Sequence, residues 1–102
     1  SGGDSDIYRN EAIAYMLKGD YKKANECGKN AYQFSMNYGD LTLDIINTAA
    51  LAAGLAKDDD TYKTLEDYLK TYNYEISTVV TDCLAGKKTV KQVFITDGGV
   101  IS

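Results

Sequence analysis

The densest run of potential ligands in this chain is Asp58-Asp59-Asp60. Three adjacent carboxylates invite a calcium loop, but such loops take oxygen ligands at alternating positions over about twelve residues and close on a glutamate. Glu66 arrives inside a helical stretch, on the wrong schedule. The triplet therefore reads as a solvated turn that caps the helix after it, and Asp4 and Asp6 offer no better spacing. Glu11 and Glu26 lie on helices that can face each other. A carboxylate pair does acid–base work when burial splits its two pKa values, yet no cleft, nucleophile or cofactor motif accompanies this one. Cys27 or Cys83 would need a base to form a thiolate nucleophile. The chain has no histidine, and only Lys29 lies near Cys27. Both cysteines fall on apolar stripes and read as buried free thiols. Gly98-Gly99 lacks the strand-to-helix setting and following lysine of a phosphate loop. No catalytic residue, metal or cofactor is expected.

Lys87, Lys88 and Lys91 form the remaining cluster. Residues 76–95 read as helix, short Gly-Lys-Lys turn and helix, an outline shared with DNA-reading helix-turn-helix elements. A DNA-binding regulator is therefore an alternative reading. Net charge is -4, and an acidic surface repels phosphate backbones. The acidic remainder and the short final helix favour an ordinary capping hairpin with a solvated basic patch, so nucleic acid is disfavoured as a partner.

With 102 residues the chain is long enough for one domain. Hydrophobic residues make up 44% and charged residues 25%, which suits a folded soluble domain. The richest apolar stretch, Leu41 to Ala56, is interrupted by Thr42, Asp44, Asn47 and Thr48 and is too short to span a bilayer. Residues 1–4 read as a tether or cloning remnant of a processed protein or excised domain. Proline is absent, which suits continuous helices. A Cys27–Cys83 bridge would need two helices to pack closely, and two cysteines fix no compartment.

The positioning elements follow from periodicity and punctuation. A first helix is expected over residues 5–18, stopped by Gly19, with Asp20 capping the next. The second, 21–37, carries small residues at helical spacing: Ala24, Cys27, Gly28, Ala31 and Ser35. Gly39 ends it, and Asp40 is expected to cap a third helix, 41–56. That helix is apolar on nearly every side and should be central. A fourth is expected over 61–72, broken by Asn73-Tyr74. Ile76, Val79, Val80, Cys83 and Leu84 fit a helical stripe, although the β-branched run 77–81 leaves a strand as the alternative. Thr89-Val90-Lys91-Gln92 is a capping box that should start a short helix burying Val90, Val93 and Phe94. The expectation is an all-α array of antiparallel helix hairpins with five or six helices. Residues 5–102 form one domain: hairpins 5–38 and 41–72, a capping hairpin 75–95 and an irregular or β-hairpin tail 96–102.

Two helices joined by a tight Gly-Asp turn, with small residues at the crossing, resemble the tetratricopeptide (TPR) unit of about 34 residues. Tyr8, Ala12 and Tyr15 match its first helix, Gly19-Asp20-Tyr21 its turn, and Ala24 and Ala31 the small residues of its second. Glu11 stands where the unit is apolar, Gly28 where it is large, and Met36 where it has proline. Residues 41–72 match loosely, with Ala53 and Leu65 keeping the spacing of Ala12 and Ala24. The resemblance implies a groove lined by helices one and three that holds a peptide or a partner helix. The matching positions are Asp6, Arg9, Ile13, Met16 and Leu17, with Asn47 and Ala50 from the second pair. Ile13 and Met16 serve equally well as core. The functional expectation is a non-catalytic protein-interaction module. Besides DNA binding, the other alternative is a structural unit of a larger protein, with homo-oligomerisation through exposed tyrosines.

Overall fold

The computed structural model describes residues 2–102. Five α-helices, α1 (Gly2–Lys18), α2 (Tyr21–Tyr38), α3 (Leu43–Leu55), α4 (Asp59–Thr71) and α5 (Thr78–Leu84), precede a π-helical turn, Gln92–Thr96. No strand occurs among the described residues. Gly2 to Asp4, expected as part of a tether, extend α1; the rest of that segment, Ser1, lies outside the described residues.

The helix ends obey one rule. Every α-helix closes on a residue in the left-handed region: Gly19, Gly39, Lys57, Asn73 and Gly86. The next amide then bonds five residues back, as Asp20 N–H does to the Tyr15 carbonyl at 3.0 Å and Asp58 N–H to that of Ala53 at 2.9 Å. These bonds satisfy carbonyls that a helix C-terminus leaves open. They also correct an expected cap. Asp40 N–H is held by the Ser35 carbonyl at 3.1 Å, so Asp40 belongs to the closure of α2. Thr42 caps α3 instead, accepting from Ile45 N–H. Asp58 caps α4 and Ser77 caps α5, so Asp59 and Asp60 sit in the first turn, where the helix dipole favours anions. The β-branched run 77–81 enters a helix because the Ser77 hydroxyl supplies that cap.

Lys57 carries a Cβ at φ 62°, which costs about 1–2 kcal/mol that glycine avoids. Glycine also loses more backbone entropy on folding. Lys57→Gly should therefore gain about 0.5–1 kcal/mol. Urea unfolding would show this as a raised midpoint with unchanged slope, and an unchanged or lowered midpoint would contradict it.

The first two hairpins are built alike. Lys57-Asp58 repeats Gly19-Asp20 in backbone conformation, cap and hydrogen bonding. This equivalence puts Ala50, rather than Ala53, in the place of Ala12; both are fully buried. α1 and α2 run antiparallel, with the Tyr8 and Phe34 rings 5.2 Å apart near one end. α2 crosses α3 very closely: a Cβ on Gly28 would lie 3.1 Å from the Ala49 Cα. α3 packs against α1, α2, α4 and α5, and residues Ile45 to Ala53 are all buried, as its all-round apolar surface requires. Met16, Leu51, Leu65, Leu69, Val80 and Ile101 join in one core. Among the described residues, no helix is long and apolar enough to cross a membrane.

The capping box forms as expected, with Thr89 N–H to Gln92 Oε1 at 2.8 Å and Gln92 N–H to Thr89 Oγ1 at 3.0 Å. Val93 and Phe94 are buried, while Val90 is half-buried. Residues 97–102 adopt the irregular form of the two expected, and they return to the core: Ile101 is only 1% exposed.

Candidate functional site

Arg9 projects from the middle of α1 towards the first turn of α3. Its Nε donates to Asp44 Oδ2 at 2.6 Å and its Nη2 to Asp44 Oδ1 at 3.1 Å. The guanidinium and carboxylate planes thus meet as a two-bond fork, the stronger and more directional form of ion pair. The two side chains are 16% and 20% exposed, so water screens the pair less than at an open surface. Arg9 Nη2 also donates to the Gly99 carbonyl, and Asp44 Oδ1 accepts from Ile101 N–H at 2.8 Å. One ion pair therefore reads both a C=O and an N–H of the C-terminal segment.

That segment is held along one edge. The Gly99 C=O and the Ile101 N–H flank Val100, and both reach the pair. The two side chains after Gly99 part company: Val100 is 74% exposed while Ile101 is buried. Gly98 and Gly99 have φ of 98° and 79°, which lets the chain reverse after the π-helical turn. Gly99 N–H closes that turn on the Val93 carbonyl at 3.1 Å.

Between α1 and this segment lies an open pocket of about 370 Å³, lined on the helix side by Arg9, Ile13 and Leu17 and on the other by Phe94, Gly99 and Val100. Three of the groove residues expected from the sequence are thus brought together. Asp6 is exposed and lies outside the pocket lining. Met16 and Ala50 are in the core. Asn47 is 1% exposed and ties α3 to the connection before α5, donating to the Leu43 carbonyl and accepting from Ser77 N–H, both at 2.9 Å. Asp44, Phe94, Gly99 and Ile101 escaped the sequence reading. Opposite charge is the one sequence signal that links Asp44 to Arg9; the tail's return leaves no local trace.

No family model, curated protein or solved structure matches this chain.

The other candidates resolve individually. Cys27 and Cys83 are free and buried. Burial first, and then the Glu11 carboxylate to which its Sγ donates at 3.8 Å, pushes the Cys27 thiol up. Burial pushes Cys83 up. Both therefore stay as thiols at neutral pH, the unreactive form. Among the described residues, no group of three or more histidine, cysteine, aspartate or glutamate side chains is placed to hold a metal ion. In the basic cluster, Lys87 and Lys91 are exposed, whereas Lys88 pairs with Asp97 at 2.8 Å, and that hydrogen bond holds its ammonium charged. Lys88 and Lys91 share a pocket of about 480 Å³ with Leu17 and Lys18. On another face, Leu43, Tyr68, Tyr72 and Tyr74 line a pocket of about 220 Å³, its tyrosines continuing the edge-on contact of Tyr32 and Tyr68 at 5.9 Å.

Proposed function

We propose that this chain is a non-catalytic protein-interaction module, built of TPR-like hairpins, that binds a peptide segment along α1 where α1 meets α3. The observation that carries this reading is the C-terminal segment itself. A non-helical stretch of polypeptide already lies against these two helices, gripped by its backbone through Arg9 and Asp44. Backbone recognition is tolerant of sequence, and neighbouring pockets for alternate side chains add selectivity. Ile13 and Leu17 provide an apolar wall one and two turns along from Arg9, with Leu17 41% exposed. The repeated Gly19-Asp20 and Lys57-Asp58 turns, and the buried Ala12, Ala24 and Ala31, support the TPR-like reading of the hairpins.

Leu17→Glu tests the surface with little cost to folding, since substitutions at exposed positions usually change stability by about 0.5 kcal/mol or less. An array of short peptides captured by the folded native chain should lose affinity by about tenfold, equivalent to about 1.4 kcal/mol, on the variant. Equal capture by both would refute the site. Equal capture combined with loss on Lys87→Glu/Lys91→Glu would move binding to the basic segment, where duplex DNA is the probe to try.

A further inference from the structure

We infer that residues 99–101 are a built-in copy of the ligand: the α1–α3 site takes a segment of glycine, any residue and an aliphatic residue, the last in the position of Ile101, and the chain's own residues 99–101 compete for it. This rests on the reading of the chain as a peptide-binding module and names the class of peptide.

Three features of the site define that class. Arg9 offers a donor and Asp44 an acceptor, spaced to meet a C=O and the N–H two residues later. Both groups belong to the backbone, so the contact selects conformation more than sequence. The side chain on the residue bearing that N–H enters the core cluster that also holds Met16, Val93 and Phe94. An aliphatic group fits there; a charged one would be stranded without a partner. At the position of Gly99 the backbone is left-handed and a Cβ would lie 3.2 Å from the Phe94 carbonyl oxygen, so glycine is favoured. The residue between them faces solvent, as Val100 does, and is unrestricted. The ligand pattern is therefore glycine, any, aliphatic, with the backbone turned as at Gly99.

The tail is attached so that it can yield its place. It opens on Gly98 and Gly99, two glycines with left-handed backbones, whose missing side chains leave the chain free to turn elsewhere. Its hold on the domain is the Arg9–Asp44 pair, the Gly99 N–H bond to the Val93 carbonyl at 3.1 Å and one buried side chain, and Gly98 and Val100 are exposed. A site filled by its own segment binds a second peptide with an apparent affinity reduced by the fraction of molecules in which the site is open. Weakening the tail should therefore strengthen binding in trans.

The probe is a fluorescent peptide of sequence Asp-Gly-Gly-Val-Ile-Ser, titrated by anisotropy against the full native chain and full chains carrying Ile101→Ser or Ile101→Ala. Amide exchange at residue 101 reports tail release. Release should raise affinity for the probe by about tenfold or more. The same probe with aspartate for isoleucine should not bind, and adding Arg9→Gln to the released chain should weaken binding. A released, folded chain that ignores the probe would overturn the inference. If that chain still captured arrayed peptides in a Leu17-dependent manner, only the ligand class would fall; if it captured none, the peptide-binding reading would fall with it. Loss of the helical circular dichroism in both Ile101 variants would make Ile101 core and also overturn the inference.

Discussion

Replacing Gly28 with leucine is expected to lower the stability of this domain by about 3 kcal/mol, the upper part of the range for overpacked interiors. Gly28 lies on α2 where it crosses α3. A Cβ built there would stand 3.1 Å from the Ala49 Cα and 3.5 Å from the Cβ atoms of Ala49 and Ala52. The nearest of these atoms is backbone, so no rotamer change relieves the contact; the two helices must separate. Separation would loosen α3, whose buried residues Ile45 to Ala53 join most of the core. A loss of this size is a large share of the roughly 5–15 kcal/mol that holds a domain folded. Gly28→Ala is the informative companion. It gains about 1 kcal/mol of helix propensity against a shift of a few tenths of an ångström, and its net effect should be small. Urea unfolding followed by circular dichroism would decide. A leucine variant with the native midpoint would mean that α2 and α3 do not cross at Gly28.

The same position shows what the sequence can and cannot reveal. Gly28 departs from the TPR pattern, which places a large residue there, yet it agrees with its own neighbours, since Ala24, Cys27 and Ala31 are also small. Local spacing thus disclosed the close crossing. Helices were legible because glycine and aspartate punctuate the chain at Gly19-Asp20 and Gly39, and because α3 is apolar in every direction. Boundaries slipped where two local rules competed. Asp40 is a good cap by type, but Gly39 draws it into the closure of α2, and Thr42 takes the task. Lys57 and Asn73 close helices from the left-handed region although neither is glycine, so composition alone would not mark them.

The candidate site was half legible for a related reason. Arg9, Ile13 and Leu17 recur at helical spacing on one face, which is local information. The far wall of the pocket is not local. It consists of the C-terminal segment returning to α1 and α3, a contact between Arg9 and Gly99 at opposite ends of the chain. Glycines in a tail read as a frayed end, and only the burial of Ile101 reverses that reading. Asn47 illustrates the converse. Its position matched the groove of a helical repeat, but both ends of its amide are committed to backbone groups.

Asp58→Ala should cost about 2–4 kcal/mol at neutral pH, with a distinctive response to acid. The side chain does three things at once. It caps α4, accepting from Thr61 N–H at 3.1 Å and Thr61 Oγ1 at 2.7 Å. It accepts from Asn25 Nδ2 at 2.8 Å, tying α2 to the start of α4. It also lies 3.7 Å from Lys29 Nζ, a pair exposed enough to add little. Losing the cap costs about 1 kcal/mol. Asn25 is 7% exposed and its Oδ1 has no partner among the described residues, so losing Asp58 strands the amide, at about 1–3 kcal/mol more. The Asn25 hydrogen bond first, then those from Thr61, lowers the Asp58 carboxyl from its ordinary 3.8 to about 2. A folded-state pKa below the unfolded one stabilises the protein above the unfolded value. That contribution, about 1–2 kcal/mol for a partly exposed group, is present in full above about pH 4 and is lost as pH falls through 2. The stability gap between native protein and Asp58→Ala should therefore be constant from pH 7 to about 5 and narrow below 4. Parallel stability curves down to pH 2 would show that the carboxylate is not held in this network, and a gap that widened in acid would reverse the sign of the argument.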